Sequence, residues 1–247
     1  MHQIINQYFD VSQMSKHFDE VLSGFVITIE LAVIAGALAL TWGLVLALLR
    51  QLPGRGLLPV RFLTIAYIDV FRGIPLLMII LLVSGSLAFL PLPNAITIPH
   101  WFGKPDSFWY GVMSITIVYG AYMAEVYRAG IEAVPDGQME AARSLGMSHG
   151  QAMWNVVVPQ AVRKVIAPLL NEFISLMKDT TLVSVIALNE VALVGSDIQA
   201  KTFNSSALTL GAIMFLVVVL PLARVVDRLI SREQRRFARG GAQAEAL

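Results

Sequence analysis

The 247-residue chain is 56% apolar and 14% charged, with a mean hydropathy of +0.69, whereas about 25% of residues are charged in an ordinary soluble domain. These figures exclude a soluble globular protein and define an all-α integral membrane protein. The absence of cysteine excludes disulfides, thiolate metal sites and cysteine nucleophiles, and a net charge of +1 carries no message until its distribution is mapped.

The first twenty residues show no basic stretch followed by an apolar core, so no cleaved signal peptide is expected. A spanning helix needs roughly 20 apolar residues, and five segments supply them: 24–49, 57–90, 108–127, 165–188 and 208–226. The second is too long for one ordinary span and contains Asp69, Arg72, Gly73 and Pro75. It reads as a broken helix, or as two elements, which would change the topology. No polar stretch is long enough for a second folded domain, so 1–247 is expected to form one transmembrane domain. The loop 91–107 is rich in proline and carries Trp101 and Phe102, as suits an aromatic anchor at the headgroup level or a contact for an external partner. The stretch 189–204 is mildly polar and suits a short re-entrant or gating helix.

The long polar interruption is Val134 to Val162. Asp136 is expected to cap a short helix that Gly146 closes in a left-handed conformation. Ser148 and Gln151 then form a capping box opening a second helix, which Pro159 is expected to disturb or end. The product is a helix, a glycine corner and a helix.

Basic residues set the orientation. Arg50, Arg55 and Arg61 follow the first span, Arg128, Arg143, Arg163 and Lys164 surround the loop 134–162, and six arginines from Arg224 to Arg239 follow the fifth. Only Lys16, Lys104 and Lys201 fall on the other side. The loop and the C-terminus are therefore expected in the cytoplasm and the N-terminus outside.

Ionisable residues inside or at the edges of spans are Glu30, Asp69, Arg72, Glu125, Glu172, Lys178 and Asp179. Each is expensive in hydrocarbon and must face a cavity, a partner or an end. Lys178 and Asp179 are followed by the hydroxyls of Thr180 and Thr181. Neighbours on a helix point about 100° apart and cannot pair face to face, so at least one meets something else: a zwitterionic ligand, or Glu125 or Arg72 on another helix. Arg72 reads as a hinge or helix-end anchor as well as a candidate ligand, Asp69 as its partner, and Glu30 and Glu172 as residues that join helices or reach the interface.

Enzyme signatures are missing. His2, His17, His100 and His149 make no metal-ligand spacing, no catalytic residue stands out, and no Gly-x-x-x-x-Gly-Lys-Ser/Thr loop occurs to hold ATP. ATP-driven work must come from another polypeptide. The C-terminal arginines suit orientation and anionic lipid better than nucleic acid.

Glu140, Ala141 and Ala142, then Gly146, then Val156, Val158 and Pro159 resemble the cytoplasmic signature loop of binding-protein-dependent ABC importer permeases, Glu-Ala-Ala, Gly six residues after the Glu, and Ile-x-Leu-Pro beginning ten further on. FRGIPLL from Phe71 and KDTTL from Lys178 resemble the polar amino acid uptake subfamily, of the histidine, glutamine, glutamate and arginine type. The resemblance covers about 28–239. It implies a five-span importer type I permease fold with a cytoplasmic coupling helix, in a bacterial inner membrane, working with an identical or related second permease subunit, two ATPase subunits and an extracytoplasmic amino-acid-binding protein. It implies that this chain holds no cofactor, ATP and magnesium residing on the ATPase, and that it is a transport subunit, with no enzyme activity of its own. ATP binding would close the ATPases, carry the loop helix inward and open the bundle toward the binding protein.

On this resemblance the ATPase-docking residues are Glu140, Ala141, Ala142, Arg143, Leu145, Gly146 and Pro159, with Met139, Ala142, Leu145 and Met147 giving apolar contacts and Glu140 pairing with Arg143. The substrate-binding candidates are Lys178, Asp179, Thr180, Arg72 and Glu125. Ile79 and Ile74 stand where relatives commonly carry Gln and Thr, so either a different amino acid is carried or this is the less engaged half of a heterodimer. The alternative function is a subunit of an ion- or proton-coupled secondary transporter or channel, to which broken helices near the midplane are equally suited.

Overall fold

The computed structural model describes residues 2–52, 54–89 and 103–244, and these residues form helices joined by short connections. In order they are α1 (His2–Tyr8), α2 (Val11–Lys16), α3 (Phe18–Arg50), α4 (Leu58–Gly73), α5 (Leu76–Phe89), α6 (Asp106–Glu132), α7 (Asp136–Ser144), α8 (His149–Ala152), α9 (Val158–Asp179), α10 (Val191–Thr202) and α11 (Ser206–Ala244). The proline-rich stretch 91–102, including Trp101 and Phe102, lies outside the described residues.

α3 and the Ser206–Ser231 part of α11 are each long and apolar enough to cross a membrane. Two bent pairs, α4 with α5 and the long helix ending at Ile186 with α10, meet the same test if each is taken as one span. α6, with 27 residues, is long enough but does not pass on composition among the described residues. Glu125, Arg128 and its four tyrosines make it polar.

The break expected in 57–90 is real: α4 and α5 are two helices bent by 108°. Its cause is Pro75, because the residue before a proline is driven out of the helical region. Ile74 is accordingly extended (φ −95°, ψ 132°). The stretch 189–204 contains a helix, α10, as expected. Ahead of it, α9 tightens into a 3₁₀ segment, Thr180–Ile186.

The chain divides into two compact units. The first comprises Met1–Glu125 and Ser175–Leu216, the second Val126–Ile174 and Val217–Leu247. In the first, α3 and α6 approach closely because both carry glycine at the contact. A β-carbon on Gly43 would stand 2.9 Å from the Gly120 carbonyl oxygen, and one on Gly120 would stand 2.5 Å from Trp42 Cδ1. Small residues are how helices pack where water supplies no driving force. Trp42 Nε1 donates to the Tyr67 hydroxyl (2.9 Å), which donates to the Ile117 carbonyl (2.9 Å), tying α4 to α3 and α6. α3 and the start of α11 run side by side in the same direction, for Phe25 meets Phe215 edge-on at 5.4 Å and Val21 faces Gly211.

A second lock in this unit went unread in the sequence. Glu190 is fully buried and caps α10, accepting from the amides of Ala192 (3.0 Å) and Leu193 (2.9 Å). Thr28 of α3 donates to the same carboxylate at 3.4 Å and accepts from the Val191 amide at 3.2 Å. This one carboxylate satisfies donors at the start of α10 and joins it to α3.

The second unit is held by Val134, Val157 and Ala161, with Ile131, Met139 and Met153 against them, and by Ala167, Ile174 and Val226.

Candidate functional site

The structure offers two sites, one in each unit. The first is the polar loop 134–162. α7 begins at Asp136, whose carboxyl group stands in the first turn; the N-cap is Pro135. Asp136 therefore favours the helix through its dipole rather than by capping. At the other end Gly146 has φ +87°. The Met147 amide reaches the Ala142 carbonyl (3.2 Å) and the Gly146 amide reaches that of Arg143 (3.0 Å). That pair of bonds satisfies the last carbonyls of α7 and turns the chain. The capping box is present as expected: the Gln151 amide donates to Ser148 Oγ (3.3 Å) and the Ser148 amide to Gln151 Oε1 (2.8 Å).

Pro159 does not end the second helix. α8 passes through a π-helical turn, Met153–Val157, into α9, with Pro159 in its first turn. The wider turn just before the proline accommodates a residue that has no amide to give.

The loop's outer surface differs from the expectation. Ala142 is buried and half-buried Met139 packs on Val134, Val157 and Ala161, so both help to hold α7 down. Arg143 donates to the Met147 carbonyl at 3.3 Å, not to Glu140, because it sits at the carbonyl end of α7. Glu140, Ala141 and Arg143 remain exposed. The apolar groups that do stand out are Leu145, 83% exposed, and Trp154, 72% exposed. Sequence reasoning missed Trp154, although an indole in a polar loop was the available signal.

The second site is a chain of charges and rings in the first unit. Arg50, at the end of α3, bonds through Nη1 to Glu125 Oε1 of α6. Arg72, at the end of α4, brings Nη1 to 3.9 Å from Glu125 Oε2. The Arg72 guanidinium lies 5.6 Å over the Tyr122 ring, and the Tyr122 hydroxyl donates to the Arg72 carbonyl at 3.2 Å. Tyr122 lies 5.9 Å from Tyr119, whose hydroxyl donates to Asp179 Oδ2 at 2.8 Å. Tyr119, Tyr122 and Glu125 are three residues apart, so α6 presents them as one stripe.

Arg72, Glu125 and Asp179 are thus brought together, with Arg50, Tyr119 and Tyr122 as members that sequence reasoning missed. In the sequence Arg50 carries only a topology signal, whereas the tyrosines are legible from their spacing to Glu125. Lys178 is exposed, one position round the helix from Asp179. Thr180 is buried and donates to the Met177 carbonyl at 2.6 Å, so it shapes the start of the 3₁₀ segment instead of offering a hydroxyl to a ligand. Arg72 pairs with Glu125, not with the exposed Asp69. Glu30 bonds Lys104, which lies in the connection just ahead of α6 and not on a helix. Ile79 is buried on α5 and faces no solvent. Among the described residues no group of His, Asp and Glu is arranged to hold a metal.

The second site thus holds opposite charges drawn from four helices beside two phenol rings, and the first presents a closed corner from which Leu145 and Trp154 project.

The chain belongs to the binding-protein-dependent transport system inner membrane components, whose family model matches residues 39–235. It is a multi-pass membrane permease subunit of an ABC importer. Among its relatives is the probable glutamine ABC transporter permease protein GlnM of Bacillus subtilis (strain 168), 34% identical over 236 residues, covering 92% of this chain and 100% of that one. The glutamate/aspartate import permease protein GltK of Escherichia coli O157:H7 is 32% identical over 230 residues, covering 91% and 98%. A crystal structure of an amino acid ABC transporter with histidines superposes with a TM-score of 0.77 at 33% identity, covering 89% of this chain and 96% of that one. The fold is also that of the MetNI methionine ABC transporter, TM-score 0.69 at 14% identity.

Proposed function

We propose that this subunit imports a polar amino acid through the site around Arg72, Glu125 and Asp179. The observation that carries the reading is the chain from Arg50 through Glu125, Arg72, Tyr122 and Tyr119 to Asp179. A zwitterion has a carboxylate for Arg72, which shares Glu125 with Arg50, and an ammonium for Asp179, which accepts from the neutral phenol of Tyr119. The tyrosines form an apolar wall between them, and exposed Lys178 adds a positive charge at the rim. The substrates for which the relatives are named, glutamine and glutamate/aspartate, are consistent with such a site.

The partners in this reading are two ATPase subunits, which carry ATP and magnesium, a second permease subunit, and an extracytoplasmic amino-acid-binding protein. The ATPase grips 134–162, with Leu145 and Trp154 as anchors and Glu140, Ala141 and Arg143 at the rim. Buried exposed-face apolar groups of this size dominate such interfaces. Gly146 and Pro159 shape the corner and Ala142 seats it.

We further propose five crossings, with the broken α4–α5 as one and α9 with its 3₁₀ extension as another. The parallel starts of α3 and α11 support this count: two spans beginning on one face need an odd number of crossings between them, and α4–α5, α6 and α9 supply three. The basic residues then put the N-terminus outside and the loop and C-terminus in the cytoplasm.

The test is reconstitution in proteoliposomes with the ATPase and binding protein. The expected result is ATP-dependent uptake of a polar amino acid that an ionophore does not abolish. Uptake that is indifferent to ATP and collapses with an ionophore would establish the ion-coupled alternative instead.

A further inference from the structure

The N-terminal segment ahead of the first span is fastened to the corner between α10 and α11. Gln7 Nε2 donates to the Phe203 carbonyl (2.9 Å), Asn204 Nδ2 to the Asn6 carbonyl (2.8 Å), the Ser205 amide to the Gln7 carbonyl (2.8 Å), and the Asp10 amide to Ser206 Oγ (2.9 Å). Asp10 also caps α2 by accepting from the Ser12 amide (2.9 Å). Polar groups thus face inward across the seam. The apolar ones face out: Ile4, Ile5, Tyr8, Phe9 and Val11, the last 76% exposed, with Phe203 of the corner 84% exposed.

Phe203 is unusual twice over. Its φ of +55° lies in the left-handed region, where a bulky side chain is a rare outlier. Phe203 takes this conformation as the C-cap of α10 with its ring left exposed, and strain retained at an exposed aromatic points to use.

We propose that this arm and Phe203 form one membrane-surface anchor, seated on the phospholipid bilayer at the headgroup level. Three observations select lipid over a protein partner. The outward apolar groups run on at helical spacing into exposed Phe18, Leu22 and Val26 of α3, a helix long and apolar enough to cross a membrane, and the start of α11 likewise exposes Ile213 and Leu216. The neighbouring exposed charges, Lys16, Asp19, Glu20 and Lys201, mark the level at which hydrocarbon gives way to water. Three of the outward groups, Tyr8, Phe9 and Phe203, are aromatic, as on the apolar side of segments that lie in the membrane–water interface. The arm lies flat by its own hydrogen bonds and inserts its apolar side to the shallow depth of an interfacial helix. It ties the α10–α11 corner to the bilayer surface.

The lack of native cysteine makes a direct test simple. Ile4→Cys, Val11→Cys and Phe203→Cys, each exposed and none in the proposed pocket or loop, are labelled with an environment-sensitive fluorophore in the full chain, reconstituted into phospholipid vesicles. Leu216→Cys serves as the lipid-facing control and Gly137→Cys as the aqueous one. The expected result is blue-shifted emission at all three positions, quenched by nitroxides on the lipid near the headgroup and protected from aqueous iodide. Water-like emission with full iodide quenching overturns the proposal. So does emission that is water-like in vesicles and shifts only when the binding protein is added, which would assign the patch to protein docking.

Discussion

The loop 134–162 and the charge chain around Glu125 are both polar interruptions of an apolar protein, yet they are built in opposite ways. The loop is local: its caps, corner and π turn bond residues within a few positions of one another, and its packing is among its own side chains. The charge chain is non-local, drawing Arg50, Arg72, Glu125 and Asp179 from four helices. Local construction gives a rigid piece that can be gripped as a unit, whereas the non-local site exists only while its helices keep one arrangement. A coupling element needs the first property and a binding site that opens and closes needs the second.

The largest effect that sharpens this contrast is expected at Glu125. Glu125→Ala leaves Arg50 and Arg72 facing each other without their carboxylate, and breaking a largely buried pair in this way costs roughly 3 kcal/mol. A lowered unfolding midpoint of the purified subunit and lost uptake are expected, with ATPase binding retained in whatever fraction folds. An unchanged midpoint would show that the chain is not a structural unit. Next comes the loop. Trp154→Ala and Leu145→Ala are each expected to weaken ATPase binding by about 2 kcal/mol, the scale of an interface anchor, with the subunit's own unfolding unchanged; equal binding by titration would remove them from the interface.

Gly146→Asp places a β-carbon and a charge at φ +87°, a strain of roughly 1 kcal/mol, and is expected to uncouple ATP hydrolysis from uptake or block docking. Wild-type transport would contradict the role of the corner. The smallest effect is expected from Tyr119→Phe, which removes the hydrogen bond to Asp179, worth about 1 kcal/mol. A several-fold change in the apparent affinity for substrate with normal assembly is the expected outcome, and unchanged affinity would detach Tyr119 from the site.

The same contrast explains what could be read in advance. The broken second span was legible because Pro75 acts on its immediate neighbour, and the Ser148–Gln151 box and the Gly146 corner were legible because they close over three or four residues. Asp136 misleads because Pro135 takes the cap position ahead of it, whereas Pro159 disturbs the helix as expected, a π turn letting it run on instead of ending. Ala142 and Met139 were placed outward since their burial depends on Val157 and Ala161, more than ten residues on. The pairing of Glu125 with Arg50 and Arg72, and of Glu190 with Thr28, depends on helices that meet only after folding. Glu190 offered a local hint, an acidic residue opening an apolar helix, but its link to Thr28 had none.

The central claim is that substrate binds where Asp179 and Arg72 face a common chain of rings, while power enters at a separate loop. Its most direct test is the concentration dependence of ATP-driven amino acid uptake in proteoliposomes for wild type and Asp179→Ala. A raised KM with ATPase binding at the wild-type level is the predicted result; an unchanged KM with full uptake would contradict it and return Asp179 to holding helices together.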